Sequence, residues 1–160
     1  LNAGRWLVPG PKTKRRRDLF VPLAPQIVAL IESLKPITGK NKYVFPLETN
    51  SDKPMTENAV RDAMRKVGIA KEAATAHGFR ATGRTMLAEL LGFRDDLINH
   101  QLSHVVRDST GEAYNRTRFL PERTKMMTRW ADFLDELRRG ERNTRSNVSI
   151  FHRDSAVQGP

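Results

Sequence analysis

Apolar residues at helical spacing recur along this chain, and glycine, proline or a capping residue bounds most of these segments. One segment has the i, i+3, i+4, i+7 spacing of an amphipathic helix and comprises Ile27, Leu30, Ile31 and Leu34. The longest stripe follows Pro121, which suits the first turn of a helix, and comprises Met126, Trp130, Phe133, Leu134 and Leu137. A strand would need a period of two, so these patterns predict a mainly helical fold.

Four further helices are predicted between these two, and the last of them, with Asp108 or Ser109 as its cap, would carry Tyr114. The first spans about 57–67, with Thr56 as its N-cap and Gly68 at its end. The second spans 79–91 and the third spans 95–102. Their inner faces are predicted to carry Leu87, Leu90, Leu91, Ile98 and Leu102.

The start of the chain has strand-like patterns instead. Residues 5–8 and 18–23 are predicted to form two short strands around a basic turn, and 43–45 a brief third one. Pro22 indicates a short or edge strand. The fold class is therefore α+β, mainly α-helical, with a small antiparallel β-sheet near the N-terminus. We expect one domain over 1–139 and a polar, flexible tail over 140–160.

The charge of the chain predicts a polyanionic partner, of which nucleic acid is the commonest. Lys and Arg total 28 against 18 for Asp and Glu, a formal net charge of +10. The chain has no cysteine, which excludes disulfides and thiolate metal sites and fits a reducing cytoplasm. No apolar run approaches the roughly 20 residues of a membrane span, and no signal-peptide pattern is present. We therefore expect a soluble cytoplasmic chain.

Four residues with related chemistry follow one another within 38 residues, in a chain with only two tyrosines. His77 and Arg80 lie in Thr75-Ala-His-Gly-Phe-Arg-Ala-Thr, His104 closes Gln101-Leu-Ser-His, and Tyr114 lies in Glu-Ala-Tyr-Asn-Arg. A phenol can attack a DNA phosphodiester when cationic donors surround the phosphate. Arginine supplies paired donors for that charge, and histidine donates to it or moves a proton.

This order and spacing resembles the C-terminal half of the catalytic site of the tyrosine recombinase (phage-type integrase) family. The resemblance covers about residues 5 to 137 and includes the Met126-Met-x-x-Trp130 helix. It implies that Tyr114 is the nucleophile and that Arg80, His77 and His104 hold the phosphate. It also implies a hairpin lysine as general acid, for which Lys14 is the candidate. Neither metal nor nucleotide cofactor is expected.

Other charged residues are candidates for the general acid or for DNA contacts. Lys12 is the second candidate for the acid, and Lys12, Arg15, Arg16 and Arg84 are predicted to contact the DNA backbone. We expect Arg84 to share the helical face of Arg80.

Two further residues are assigned structural positions. His100 and His104 have the i, i+4 spacing of a helical metal pair, but no further ligands stand nearby, so His100 is predicted to be a solvated helix residue. Tyr43 is predicted to be a structural strand residue. The last apolar stripe is predicted to face the core, with docking onto a neighbouring protomer as the alternative.

One member of the family's catalytic set has no counterpart in this sequence. The first catalytic arginine should precede the hairpin lysine by roughly 30 to 60 residues, by family resemblance, and Arg5 is poorly placed to replace it. We therefore expect a fragment of a longer bacterial or phage-encoded integrase, with weak or no cleavage by itself. The expected partners are double-stranded DNA at attachment sites and further copies on DNA. The alternatives are a non-catalytic DNA-binding or assembly remnant and, by shared chemistry, a type IB topoisomerase.

Overall fold

The computed structural model describes residues 4–13, 16, 18–104 and 119–141, and within them helices predominate. The strands are β1 (Arg5–Val8), β2 (Leu19–Pro22), β3 (Pro46–Leu47) and β4 (Asn50–Pro54). The helices are α1 (Pro25–Ser33), α2 (Lys35–Thr38), α3 (Ala59–Lys66), α4 (Ala76–Glu89), α5 (Asp95–Gln101) and α6 (Leu120–Arg138). The predicted α+β, mainly helical class is confirmed.

The N-terminal hairpin pairs β1 with β2 in antiparallel register, from Arg5 opposite Pro22 to Val8 opposite Leu19. Its loop begins with a short 3-10 helix at Gly10–Lys12. The backbone N–H of Gly10 donates to the Oδ1 atom of Asp18 at 2.8 Å and closes the loop at its base. The two predicted strands are thus confirmed to within a residue.

The second hairpin, β3 with β4, differs from the sequence expectation. Residues 43–45 adopt bends, so the strand predicted there is wrong, and Tyr43 is not a strand residue. The pairing begins at Pro46, which lies opposite Pro54. Strand β4 is exposed along its whole length and consists of polar residues ending in proline, so it carries no apolar alternation to signal a strand.

The main core forms where α4, α5 and α6 meet. Leu87 of α4, Leu97 and Ile98 of α5 and Met126 of α6 are buried against one another. Burying side chains of this size contributes about 1.5–3 kcal/mol each. The inner faces predicted for α4 and α5 are therefore confirmed at Leu87 and Ile98, and this core holds the two helices in a fixed relation.

Helix α6 faces the core over only part of its length. Met126 and Phe133 are buried, whereas Leu134 and Leu137 are 43% and 50% exposed. The predicted core-facing stripe is thus wrong for its last two members. At 19 residues, α6 is roughly 28 Å long, and these two exposed leucines lie in its last two turns.

Helix α3 begins later than predicted. Its N-cap is Asn58, without a side-chain capping bond, so Thr56 is not the cap. The N–H of Ala59 instead donates to the Thr56 carbonyl at 3.1 Å, which makes residues 56–59 a turn ahead of the helix. Gly68 ends the helix in the left-handed region, with φ at +85°, as the sequence predicts.

Candidate active site

Thr75 caps α4 and sets where the helix begins. Its Oγ1 atom accepts a hydrogen bond from the N–H of Gly78 at 2.9 Å. A Cβ on Gly78 would lie 3.1 Å from this Oγ1 atom, so glycine leaves room for the cap. We expected the helix to begin between His77 and Arg80, and this is wrong: the cap places both residues in its first two turns.

His77 and Arg80 are three residues apart on α4, so their side chains lie on the same face, and both are exposed. The Nη2 atom of Arg80 donates to the backbone carbonyl of Leu102, the C-cap residue of α5. The carboxyl end of a helix carries partial negative charge, which favours a guanidinium there. This bond joins the start of α4 to the end of α5.

The end of α5 is a Schellman turn that leads directly to the second histidine. The N–H of Ser103 donates to the His100 carbonyl at 3.1 Å, and the N–H of His104 donates to the Asn99 carbonyl at 2.8 Å. Ser103 has φ at +56°, a left-handed conformation that glycine usually occupies. The turn reverses the chain within one residue and takes His104 off the helix.

A side-chain contact also orients His104. Its Nδ1 atom lies 3.3 Å from the Oδ1 atom of Asn99. When Nδ1 carries a proton it donates to this amide oxygen, which fixes the plane of the ring. The structure therefore brings Arg80 and the His104 turn to the same end of α5, with His77 on the Arg80 face of α4.

Several predicted site residues lie outside the described residues: Tyr114 with the helix expected to carry it, Lys14 and Arg15. Their roles stay predictions.

Two other predicted residues of the same basic segment, Lys12 and Arg16, are described. Lys12 is exposed at the end of the short 3-10 helix, and Arg16 is exposed with φ at +51°. Both therefore project from the hairpin loop into solvent.

Arg84 lies one turn beyond Arg80 on α4, and it reaches the start of α5. Its Nη2 atom is 3.8 Å from the Oδ1 atom of Asp95, with both side chains largely exposed. An exposed pair of this kind contributes about 0–1 kcal/mol. The predicted DNA contact of Arg84 remains a prediction.

A basic cleft of about 490 Å³ adjoins His77. Its lining includes Arg61, Arg65 and Lys71, together with Thr75 and Ala76 at the start of α4. These three cations were not predicted as site residues, because they belong to no motif. The signal that could have found them is the i, i+4 spacing of Arg61 and Arg65 shortly before the His77 segment.

Arg65 also shapes this cleft. Its guanidinium donates to the carbonyl of Ile69 and, at 3.3 Å, to the carbonyl of Ala74. These bonds hold the 69–74 segment against α3. The residue that follows this segment is Thr75, so Arg65 helps to place the cap of α4.

His100 is buried, with 5% exposure, so its predicted solvated position is wrong. It lies three residues after buried Leu97 on α5, and its ring meets that of Phe119 edge-on with centroids 6.1 Å apart. Because the turn at Ser103 takes His104 off the helix, the i, i+4 metal-pair geometry does not form. Within the described residues no group of three or more His, Cys, Asp or Glu is placed to hold a metal ion.

Arg123, near the start of α6, is fully buried. Burial disfavours the charged form of its guanidinium and lowers its pKa to about 10. Its burial was not predicted, because a lone arginine on an amphipathic helix is normally solvated.

Comparison with known proteins identifies the family. Residues 1–120 match the phage integrase family. The chain is 35% identical to prophage integrase IntA of Escherichia coli strain K12 over 133 residues, covering 83% of this chain and 32% of that protein. It is 40% identical to the integrase of Enterobacteria phage P4 over 124 residues, covering 76% of this chain and 28% of that protein. No solved structure matches it.

The chain belongs to the phage integrase family of tyrosine recombinases, enzymes of DNA integration and recombination. The resemblance drawn from the His77-to-Tyr114 segments is thereby confirmed at the level of family and catalytic-domain fold. The chain spans about a third of the length of these relatives. In the part of the chain that the structure describes, no helix is both long and apolar enough to cross a membrane.

Proposed function

We propose that this chain is the catalytic part of a site-specific DNA recombinase that acts through a 3′-phosphotyrosine intermediate. The phenol of Tyr114 loses its proton to solvent as its oxygen attacks a backbone phosphorus, the bond to the 5′ oxygen breaks, and Lys14 gives that oxygen a proton. A 5′-hydroxyl from another strand then attacks the phosphotyrosine, which reseals the DNA and releases the phenol. The phosphotyrosine conserves the bond energy, so the reaction draws on no nucleotide cofactor.

The observation that carries this proposal is the bond from Arg80 to the Leu102 carbonyl. It links α4 to the turn that presents His104, so the cations expected around the phosphate belong to one connected unit. A tyrosine phenol ordinarily has a pKa of about 10, so its attack at neutral pH needs positive charge nearby. Arg80 supplies that charge with a planar fork of donors, and His77 and His104 donate to the remaining oxygens.

The basic cleft beside His77 supports DNA as the partner. Its cations line a surface next to the proposed scissile phosphate, where neighbouring backbone phosphates would lie. We propose that the protein acts on double-stranded attachment sites in the bacterial cytoplasm. Exposed Leu134 and Leu137 support self-association on DNA through the end of α6. The end of α6 at Arg138 supports a domain over 1–139 and a tail over 140–160.

The two tyrosines of the chain provide the test and its control. The substrate is a nicked duplex carrying the attachment sequence, obtained by selecting bound DNA from a random pool. We expect a small amount of covalent protein–DNA adduct, absent from Tyr114→Phe and retained by Tyr43→Phe. The yield should be small because Arg80 is the only arginine of the proposed set, and one missing donor costs about 2.7–4 kcal/mol of transition-state stabilisation.

The same assay separates the alternative function. DNA binding with no adduct in any variant would favour a non-catalytic DNA-binding or assembly remnant. Adduct that survives in Tyr114→Phe would move the nucleophile elsewhere and contradict the proposal.

A further inference from the structure

Arg123 joins three segments of the fold through one buried guanidinium. Its Nε atom donates to the Oε1 atom of Gln101, the last residue of α5, at 2.9 Å. Its Nη2 atom donates to the backbone carbonyl of Phe20 in β2 at 2.6 Å. Arg123 itself belongs to the second turn of α6, and none of its surface is exposed. The N-terminal hairpin and the end of α5 are therefore both attached to α6 at a single residue.

Packing alone does not explain an arginine at this position. No ion pair joins Arg123 to a carboxylate among the described residues, and its Nη1 atom has no hydrogen-bond partner there. An apolar residue of similar volume would fill the space without the cost of burying charge. What the guanidinium adds is a rigid fork whose donors point in two fixed directions, toward two different segments.

Each of the three segments is close in the sequence to a group of the proposed reaction. Lys14 falls between β1 and β2, His104 follows the end of α5, and Tyr114 precedes α6. We propose that Arg123 is a positioning residue, which holds these segments in a fixed relation without touching the DNA. The two hydrogen bonds show how Arg123 holds these segments. Its purpose in the reaction rests on the proposed function.

Amide hydrogen exchange tests the positioning role without requiring DNA cleavage. In Arg123→Met we expect protection to fall about ten- to a hundred-fold in β2 and at the amides of Ser103 and His104, the range for losing a charged hydrogen bond. Amides in the middle of α4 should change far less. Arg129→Met is the matched control, since Arg129 lies on the same helix but pairs with Glu136 at 2.8 Å. It should leave both segments protected.

A second variant covers the case in which Arg123→Met does not fold. Gln101→Met removes only the acceptor on α5, so protection should fall at Ser103 and His104 while β2 stays protected. An equal loss at all amides, or no loss at either segment in the folded variants, would overturn the positioning role.

The DNA assay then links position to function. At equal folded fraction and equal DNA affinity, Arg123→Met should form covalent adduct at least about ten-fold more slowly, while Arg129→Met should match the parent chain. An unchanged rate would also overturn the role. These outcomes are separate from that of the proposed function, which fails if Tyr114→Phe still forms adduct, whatever the exchange result.

Discussion

The guanidinium of Arg80 donates to the backbone carbonyl of Leu102, two residues before His104. A side chain from one helix therefore meets the turn that presents the second histidine. Because the carbonyl belongs to the C-cap of α5, a change in that turn would move both groups together. The arginine and the histidine are thus coupled through the backbone.

Arg80→Lys should slow adduct formation by about 10²–10³-fold, because a lysine lacks the planar fork that would serve the phosphate. DNA affinity should change little, since the charge is kept. Single-turnover rates at saturating DNA measure the effect. Arg84→Lys, one turn further along the same helix, is the control and should stay within a few-fold of the parent chain. Equal loss in the two variants would contradict the role given to Arg80.

Lys71→Gln should weaken DNA binding on any sequence and reduce the slope of log affinity against log salt by about 1. The physical reason is the loss of one cation from the cleft beside His77. Titrations at several salt concentrations give the slope. Lys66→Gln removes an exposed lysine of α3 that does not line the cleft, and it should leave the slope unchanged. If both variants lower the slope equally, binding follows net charge and not the cleft.

Ser103→Gly should raise the free energy of unfolding by about 0.5–1 kcal/mol, because glycine adopts a φ of +56° without steric cost. Ser103→Val should lower it by more than about 1 kcal/mol and also slow adduct formation, since the turn places His104. Urea unfolding measures both changes. The control is Ser33→Gly in α1, where the backbone is right-handed and the free energy of unfolding should fall. A rise in that free energy would show that the backbone angle of Ser103 is not the cause.

Asp96→Asn should lower stability by less than about 1 kcal/mol near neutral pH, because its partner Arg94 is 74% exposed and water screens the pair. The Arg94 hydrogen bond holds the pKa of Asp96 below its usual value. A carboxyl group whose pKa is lowered by folding stabilises the folded state fully when the pH is above its unfolded pKa of about 3.9. This stabilisation is lost as the pH falls through the pKa of the folded state. Urea unfolding at pH 7 and pH 2.5 should therefore show the variant's deficit shrinking in acid. A deficit that is equal at the two pH values would contradict this account.

Helix ends and buried helix faces depend on local interactions, and the sequence predicted several of them correctly. Gly68 ends α3 in the left-handed region, and the apolar spacing of Leu87 and Ile98 correctly predicted that both are buried. The start of α4 was predicted too late, because Thr75 caps the helix two residues before His77 and so includes His77 in its first turn. That cap depends on one hydroxyl–amide bond, which hydrophobic periodicity does not report.

The tertiary features had no comparable signal. The burial of Arg123 depends on an acceptor in β2 and another at the end of α5, and no spacing rule connects these positions. His100 shows the same limit, since its inward face follows from how α5 is rotated against α6 and not from its polarity. In the candidate site, the residue types and their order were predictable. The Arg80–Leu102 hydrogen bond and the basic cleft were not, because they depend on how separate segments pack together.

Phe20 and Arg123 are 103 residues apart, and Gln26 donates to Asp132 across 106 residues. The ribosome makes the hairpin and α1 before it makes α6, the helix to which both attach. At about 5–20 residues per second, these early segments wait roughly 5 to 20 s for α6 to be synthesised. Strand β2 and α1 therefore gain these two hydrogen bonds only after α6 has been synthesised.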